Sequence, residues 1–440
     1  MLTVQGALAV FGRTGDETGS DVVIEDGRVV TASGGSGGSG GEVLDASGCV
    51  VTPGLVNAHH HLLQTAFRTI PETKGVPMAQ WLPTMAEHYA RAGVEPGLGA
   101  AAAEAGLAES LLCGVTTVAD HHLTWPADMT AEGSVEYADA VAAVARELGV
   151  RLTFVRGTAR DDPAAAAESA RAIARHWLTP EDRGVTADGM LQFAVGPAGV
   201  HSDERETFDA LAEVAREYGL RRRTQANEQV DVAIAAERYG RRPIELLDEW
   251  GWLADDVTLA HLCDVTGDEI ARLAQAGVSA THAPGCDLPM GWGIAPVAAL
   301  HDAGVAVGMG TSGGGSNDAG HLLADTRLAM QVAPLVGRPV PARELLTAAT
   351  AGGAAGLGRP ELGTLDVGAA GDLCVWDVSG VADAGVHDPV AGLLWASPGR
   401  RPKHVVVGGR VVVRDGALRA RARLSGPGTR NSLTSGERLP

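Results

Sequence analysis

The sequence predicts an α/β protein: a (β/α)₈ barrel of the TIM type with a small β-sandwich formed by the N- and C-terminal segments. Eight strand-like runs alternate with helical stretches rich in Ala, Glu and Arg, and both ends of the chain contain short strands around glycine turns. Strands that alternate with helices pair in parallel through right-handed crossovers, and eight such units close into a barrel. An open doubly wound sheet is the alternative fold.

The domain boundaries follow from where the strand character changes. The ends of the chain hold the runs LTVQGALAV, DVVIEDGRVV, GDLCVWDV and HVVVGGRVVVRDG. Neither end has enough strands for a stable sheet, so we expect residues 1–54 and 363–424 to complete one sandwich. Residues 55–362 are then the catalytic barrel. Residues 425–440 lack apolar periodicity, and this tail is predicted to be mobile or to fold back as an arm.

Composition excludes several classes of partner. The 440 residues carry a formal net charge of −19, whereas nucleic acids and anionic membranes require a basic surface. A small neutral or cationic substrate fits this charge better. The five cysteines show no paired spacing, which argues against a disulfide framework or a structural zinc site. Without a signal-like start or a long apolar run, the protein is predicted to be cytoplasmic.

Polar residues end nearly every strand-like run of the predicted barrel. In a (β/α)₈ barrel the carboxyl-terminal ends of the strands form the catalytic face, so these side chains should converge there. The residues concerned are His59, His61, His121, His122, Gln225, His261, His282 and Ser312.

The most specific motif is Pro-Gly-Leu-Val-Asn-Ala-His-His-His, which ends at His61. Residues two apart on a strand point the same way, so His59 and His61 can present two imidazoles to one metal ion while His60 faces elsewhere. A polar rim of histidines without a metal is the alternative.

This run, PGLVNAHHHLLQT, resembles the first-strand signature of the amidohydrolase superfamily, and the similarity continues through GVTTVADHH, LAHLCD, MGWGIAP, GSNDAG and GVHDP. Within the superfamily the chain is most similar to the branch of 8-oxoguanine deaminases and s-triazine hydrolases. The resemblance implies a hydrolase that cleaves a C–N bond, other than a peptide bond, in a planar nitrogen heterocycle that is purine-, pterin- or triazine-like. Deamination is the expected reaction, and a divalent metal, with zinc the expected ion, activates the attacking water.

The resemblance also implies roles for individual residues. His59 and His61 match metal ligands, and Glu228 matches the glutamate that carries protons to the ring. His261 matches the histidine that polarises water or contacts the substrate. Gln225 stands where relatives have a metal-binding histidine, and Ser312 stands where most have an aspartate that serves as ligand and base. The implied metal set is therefore His59, His61 and Gln225, and the implied catalytic set is Glu228, His261 and Ser312.

Gln225 and Ser312 leave two alternatives to a metal-dependent hydrolase open. Compared with imidazole and carboxylate, an amide oxygen and a neutral hydroxyl are weak donors to zinc. A metal-free enzyme with non-hydrolytic or specialised biosynthetic chemistry is therefore one alternative, and a non-catalytic ligand-binding homologue is another.

Planar side chains and amides near the strand ends suit a flat heterocycle. The candidate substrate-binding residues are Gln64, Trp81, His122, His282 and Trp292. The expected partner is this small molecule, and pairing with a second copy of the chain is left open.

Overall fold

The computed structural model describes residues 1–12, 15–17, 20–31, 41–179 and 181–420. The predicted tail at 425–440 lies outside these residues. The strands are β1 (Leu2–Gln5), β2 (Ala9–Gly12), β3 (Gly15–Glu17), β4 (Val22–Glu25), β5 (Arg28–Thr31), β6 (Glu42–Asp45), β7 (Cys49–Pro53), β8 (Leu55–His61), β9 (Val115–His122), β10 (Arg151–Thr158), β11 (Leu191–Pro197), β12 (Arg221–Ala226), β13 (Val257–His261), β14 (Ser279–His282), β15 (Val307–Met309), β16 (Ser312–Gly313), β17 (Leu373–Asp377), β18 (His404–Val407), β19 (Arg410–Arg414) and β20 (Ala417–Leu418).

Helices follow the strands of the central region, and their ends carry recognisable signals. Thr130 accepts a hydrogen bond from Gly133 N at the start of α3, and Gly149 ends that helix in the left-handed conformation. The helices are α1 (Met78–Ala92), α2 (Pro96–Leu112), α3 (Ala131–Leu148), α4 (Pro163–Trp177), α5 (Arg205–Tyr218), α6 (Gln229–Tyr239), α7 (Pro243–Glu249), α8 (Gly267–Ala276), α9 (Pro284–Met290), α10 (Val297–Asp302), α11 (Leu322–Val332), α12 (Ala342–Thr347), α13 (Gly353–Gly356) and α14 (Pro389–Trp395).

The central sheet is parallel and has the order β15-β14-β13-β12-β11-β10-β9-β8-β16. Its two edge strands are successive parts of one chain segment: Met309 pairs with His282 at one edge, and Ser312 pairs with His60 at the other. The sheet is therefore curled, and the predicted α/β class with alternating strands and helices is confirmed. The carboxyl ends of the strands meet at one end of this sheet.

The terminal segments form two further sheets. One has the order β5-β4-β1-β6, and the other has the order β20-β19-β18-β17-β7-β2-β3. In the second sheet β17 pairs antiparallel with β7, so strands from both ends of the chain share it. One hydrophobic cluster contains Leu2 and Ile24 of the first sheet together with Val51, Leu373 and Val406 of the second.

A buried ion pair connects the central and terminal sheets. Arg151 in β10 donates from Nε and Nη2 to the two carboxylate oxygens of Asp372, at 2.7 and 2.9 Å. Asp372 also accepts a hydrogen bond from Gly408 N at 2.7 Å. This bidentate geometry orients the segment before β17 on the central sheet. No helix in the described ranges is long and apolar enough to cross a membrane.

Gly196 in β11 allows close packing beside β12. A Cβ at this position would lie 1.5 Å from the carbonyl oxygen of Arg223. We expect Gly196→Ala to lower the free energy of unfolding by about 1–3 kcal/mol or more, since the backbone must shift. Chemical denaturation measures the effect. Gly97→Ala in α2 is the control, because a Cβ there meets no atom within 4 Å, and that variant should be unchanged or more stable. Equal stability of the two variants would contradict the prediction.

Candidate active site

The site begins with two histidines at the carboxyl end of β8. His59 and His61 are buried, and their ring centroids lie 4.8 Å apart. His61 Nδ1 lies 2.6 Å from the carbonyl oxygen of His121 and donates to it, which leaves the Nε2 lone pair free to accept. Burial lowers the pKa of His61 to about 4 and that of His59 well below its usual value. Both rings are therefore neutral near pH 7, the form that binds metal ions.

His261, at the end of β13, lies between Asp287 and Gln225. Its Nδ1 lies 2.6 Å from Asp287 Oδ1, and its Nε2 lies 3.0 Å from Gln225 Oε1. Burial alone would lower the pKa of His261, but the charges of Asp287 and Glu228 outweigh burial and raise it. Gln225 donates from Nε2 to the carbonyl oxygen of Ala198 at 3.1 Å, so its Oε1 is directed at the histidines. His261 is thus held as a donor on both ring nitrogens.

Glu228 lies directly before α6 and is buried. Its Oε1 lies 3.6 Å from His261 Nε2, and neither carboxylate oxygen has a hydrogen-bond partner among the described residues. Burial raises the pKa of Glu228 despite the nearby His261 and His201. A buried carboxyl with a raised pKa holds a proton to a higher pH than an exposed one, and it can accept a proton and return it during a reaction.

Strained backbone accompanies these side chains. The non-glycine residues Asn227, His261, Leu262 and Ser312 have positive φ angles of 53°, 77°, 51° and 55°. Such conformations cost free energy and cluster at sites where the surrounding structure enforces them. These residues lie directly after β12, at the end of β13 and at the first residue of β16, which supports a functional role for this end of the sheet.

The predicted substrate-binding residues divide into three groups. Trp292 packs against His261, with centroids 5.0 Å apart, and His282 Nδ1 lies 3.3 Å from Asp287 Oδ2. Gln64 Oε1 accepts a hydrogen bond from Gly315 N at 3.2 Å, and Trp81 Nε1 donates to Gly315 O at 3.4 Å. The structure thus brings Trp292 and His282 to the His261 cluster, while Gln64 and Trp81 contact the segment after β16.

His122 is the predicted residue that the structure does not bring to this cluster. Its ring stacks on Tyr137 of α3 at 4.3 Å and packs against Trp125 at 4.5 Å. Neighbouring residues of a strand face opposite sides, so His121 takes the inner position instead, 6.0 Å from the rings of both His59 and His61. The expectation that His122 faces the site is therefore corrected, because that side chain packs in the helical layer.

Sequence reasoning missed three charged or titratable neighbours of the site. Asp287 lies in the first turn of α9, five positions after His282. His201 Nδ1 lies 3.5 Å from Asp231 Oδ1, and both side chains are buried beside Glu228. Burial alone would lower the pKa of His201, but the hydrogen bond with Asp231 and the charge of Glu228 outweigh burial and raise it. The spacing Glu228-x-x-Asp231 at the start of a helix was a usable signal, because residues three apart share a helix face.

The donor set fits a divalent ion. His59 Nε2 is buried without a hydrogen-bond partner among the described residues, and His61 offers its Nε2 lone pair. Gln225 adds an oxygen that is already turned toward this cluster. Two imidazole nitrogens are ligands that catalytic zinc sites use, and the amide oxygen adds a weaker third donor.

The chain belongs to the amidohydrolase family, whose pattern matches residues 50–412. It is 34% identical over 438 residues to an 8-oxoguanine deaminase of Pseudomonas aeruginosa, covering 94% of each chain. It is also 34% identical over 386 residues to a 5-methylthioadenosine/S-adenosylhomocysteine deaminase of Halobacterium salinarum, covering 86% of this chain and 84% of the other. The crystal structure of atrazine chlorohydrolase from Arthrobacter aurescens complexed with zinc superposes with a TM-score of 0.87 at 35% identity, covering 95% of this chain and 96% of that one. The predicted resemblance is confirmed.

Proposed function

We propose that this protein is a hydrolytic deaminase of a planar nitrogen heterocycle of the purine, pterin or triazine type. The observation that carries the proposal is the buried Glu228 carboxylate, whose oxygens accept no hydrogen bond from the described residues. It lies 3.6 Å from His261 Nε2, and the His261 ring packs against that of His59. Family membership and the deaminases among its relatives support the same reaction class.

In this proposal, water adds to the ring carbon that carries the amino group. Glu228 accepts a proton from the water and delivers it to the adjacent ring nitrogen. The regenerated carboxylate then takes the remaining hydroxyl proton and passes it to the amino nitrogen, so the C–N bond breaks, ammonia leaves and the ring carbonyl forms. His261 donates from Nε2 to hold the developing oxygen charge, while Asp287 fixes the ring through Nδ1. Ser312, the first residue of β16, contributes a hydroxyl to the site rather than a negative charge.

We assign the metal position to His59, His61 and Gln225. A divalent ion there, zinc by preference, would act as a Lewis acid that activates water. The zinc complex of the atrazine chlorohydrolase supports this choice of ion. Trp292 and His282 flank the proposed substrate, with Gln64 and Trp81 supporting the segment after β16.

The domain architecture is part of the proposal. The central sheet, with both edge strands from 307–313, supports a closed (β/α)₈ barrel over residues 55–362. The hydrophobic cluster common to the two terminal sheets supports one β-sandwich built from residues 1–54 and 363–424.

Ammonia release tests the function directly. The zinc-loaded full chain is incubated with aminated purines, pterins and triazines in isotopically labelled water, and products are analysed by mass spectrometry. We expect ammonia from at least one class, with one labelled oxygen in the ring product. Turnover that releases no ammonia and incorporates no labelled oxygen would favour the non-hydrolytic alternative over hydrolysis. No turnover in any class would reject the proposal.

Replacing Asp287 with asparagine tests how His261 is oriented. We expect Asp287→Asn to lower kcat/KM by about 10–100-fold, because carboxylates that orient site histidines contribute that much. Steady-state kinetics measures the change, and the exposed Asp268→Asn in α8 is the control. Unchanged kinetics in Asp287→Asn would show that the orientation of the His261 ring does not depend on the Asp287 carboxylate.

A further inference from the structure

A second group of metal-ligating side chains lies next to the proposed active site. It consists of His261, Cys286 and Asp287, whose ligand atoms all lie within 4.8 Å of one another. All three residues are buried. Cys286 and Asp287 are adjacent in α9, and His261 approaches them from the end of β13. The three side chains thus form a preassembled cluster rather than a surface group of acids.

The cluster lies on the Nδ1 side of the His261 ring. Asp287 Oδ1 contacts Nδ1 at 2.6 Å, whereas Gln225 and Glu228 face Nε2. Asp287 Oδ2 is buried and has no hydrogen-bond partner among the described residues, although His282 Nδ1 lies 3.3 Å away. Asp287 and Gln225 thus contact opposite nitrogens of the same imidazole, so that His261 belongs to both groups.

A second thiol borders the same group. Cys263 packs with Cys286 and Trp292 in one small hydrophobic cluster. Burial raises the pKa of the Cys263 thiol, and the charge of Asp287 raises it further. A second thiol therefore packs beside Cys286.

We propose that His261, Cys286 and Asp287 form a second zinc site. A thiolate, a carboxylate and an imidazole are the three ligand types that zinc uses most, and the two anions balance the charge of a divalent ion. On binding, the ion replaces the proton that His261 Nδ1 shares with Asp287, and Cys286 releases its thiol proton. The proposal depends on this geometry and not on the deaminase activity.

Occupancy of this site has a consequence for the adjoining one. The ion would fix the His261 ring from the Nδ1 side, which the Asp287 carboxylate otherwise does.

Cobalt(II) is the probe, because a cobalt–thiolate bond gives an intense near-ultraviolet charge-transfer band that nitrogen and oxygen ligands do not give. The metal-stripped full chain is titrated with cobalt(II) without oxygen. We expect this band to grow to saturation in the unaltered protein. Saturation without the band, or no binding of cobalt, overturns the proposal and needs no variant for its interpretation.

Variants then locate the ligands. Cys286→Ser should abolish the band, while Cys374→Ser should retain it, because Cys374 is a buried thiol that donates to Gly114 O in a different part of the molecule. Asp287→Asn should raise the cobalt dissociation constant of the band by about 10–100-fold. His59→Asn should leave the band in place. A band that survives in Cys286→Ser, or that disappears in His59→Asn, refutes a separate thiolate site, and circular dichroism confirms that each variant is folded.

Discussion

Glu228→Gln is expected to lower kcat for deamination by about 10²–10⁴-fold, the usual contribution of a positioned acid or base. The amide keeps the shape of the buried side chain but cannot carry a proton, so KM and stability should change little. Stopped-assay kinetics with ammonia detection measures the effect. Glu204→Gln is a matched control: Glu204 also precedes a helix after a central strand, but it is exposed. A kcat equal to that of the unaltered protein would exclude Glu228 as an essential proton carrier.

The pH profile gives a second test of the same residue. Because burial raises the pKa of Glu228, the carboxyl stays protonated above its usual range of about 4.3. As a base it works only when ionised, so kcat/KM should rise with pH through a limb that lies above that value. Glu228→Gln should remove this limb from the residual activity. A limb at the pKa of an exposed glutamate would contradict the assignment.

The double change Gln225→His with Ser312→Asp is expected to raise the affinity for zinc by about tenfold or more. It supplies an imidazole and a negative charge at the two positions where the family resemblance implies a histidine and an aspartate. Residues that only support the ligands already change metal affinity by about 10–100-fold, so added ligands should have at least a comparable effect. Aspartate tolerates the positive φ of 55° at Ser312 better than most residues. Competition with a fluorescent chelator measures the dissociation constant.

Each single change serves as the control for the double one. Gln225→His alone adds a nitrogen donor without charge, and Ser312→Asp alone adds charge without a nitrogen donor. If the double variant binds zinc no more tightly than the unaltered chain, Gln225 and Ser312 are not at the metal position.

The sequence predicted the parts of the site that depend on local periodicity. The two-residue spacing of His59 and His61 requires only that their segment is a strand, and these rings are indeed adjacent. The α/β class followed from alternating patterns in the same way. His121 and His122 show the limit of that reasoning, because both end the same strand and only the tertiary register decides which one faces inward.

Asp287 could not be predicted because its role depends on contacts between distant segments. It lies 26 positions from His261 in the sequence, and the 2.6 Å contact arises only when β13 and β14 are paired and α9 starts directly after β14. The orientation of Gln225 likewise depends on the Ala198 carbonyl, 27 positions away in the neighbouring strand segment. Side-chain partners of this kind carry no periodic signal in a single sequence.

The pairing of β7 with β17 has a consequence for how a cell makes this protein. Trp376 donates to Thr52 Oγ1 at 2.9 Å across 324 positions of chain, and at about 5–20 residues per second a ribosome needs on the order of 20–60 s to cover that distance. During this time β2 and β7 have been synthesised but lack their partner strand. Their apolar edges are open to other chains throughout. The edges of this sheet are therefore a site at which unfinished chains can pair with one another until β17 has been synthesised.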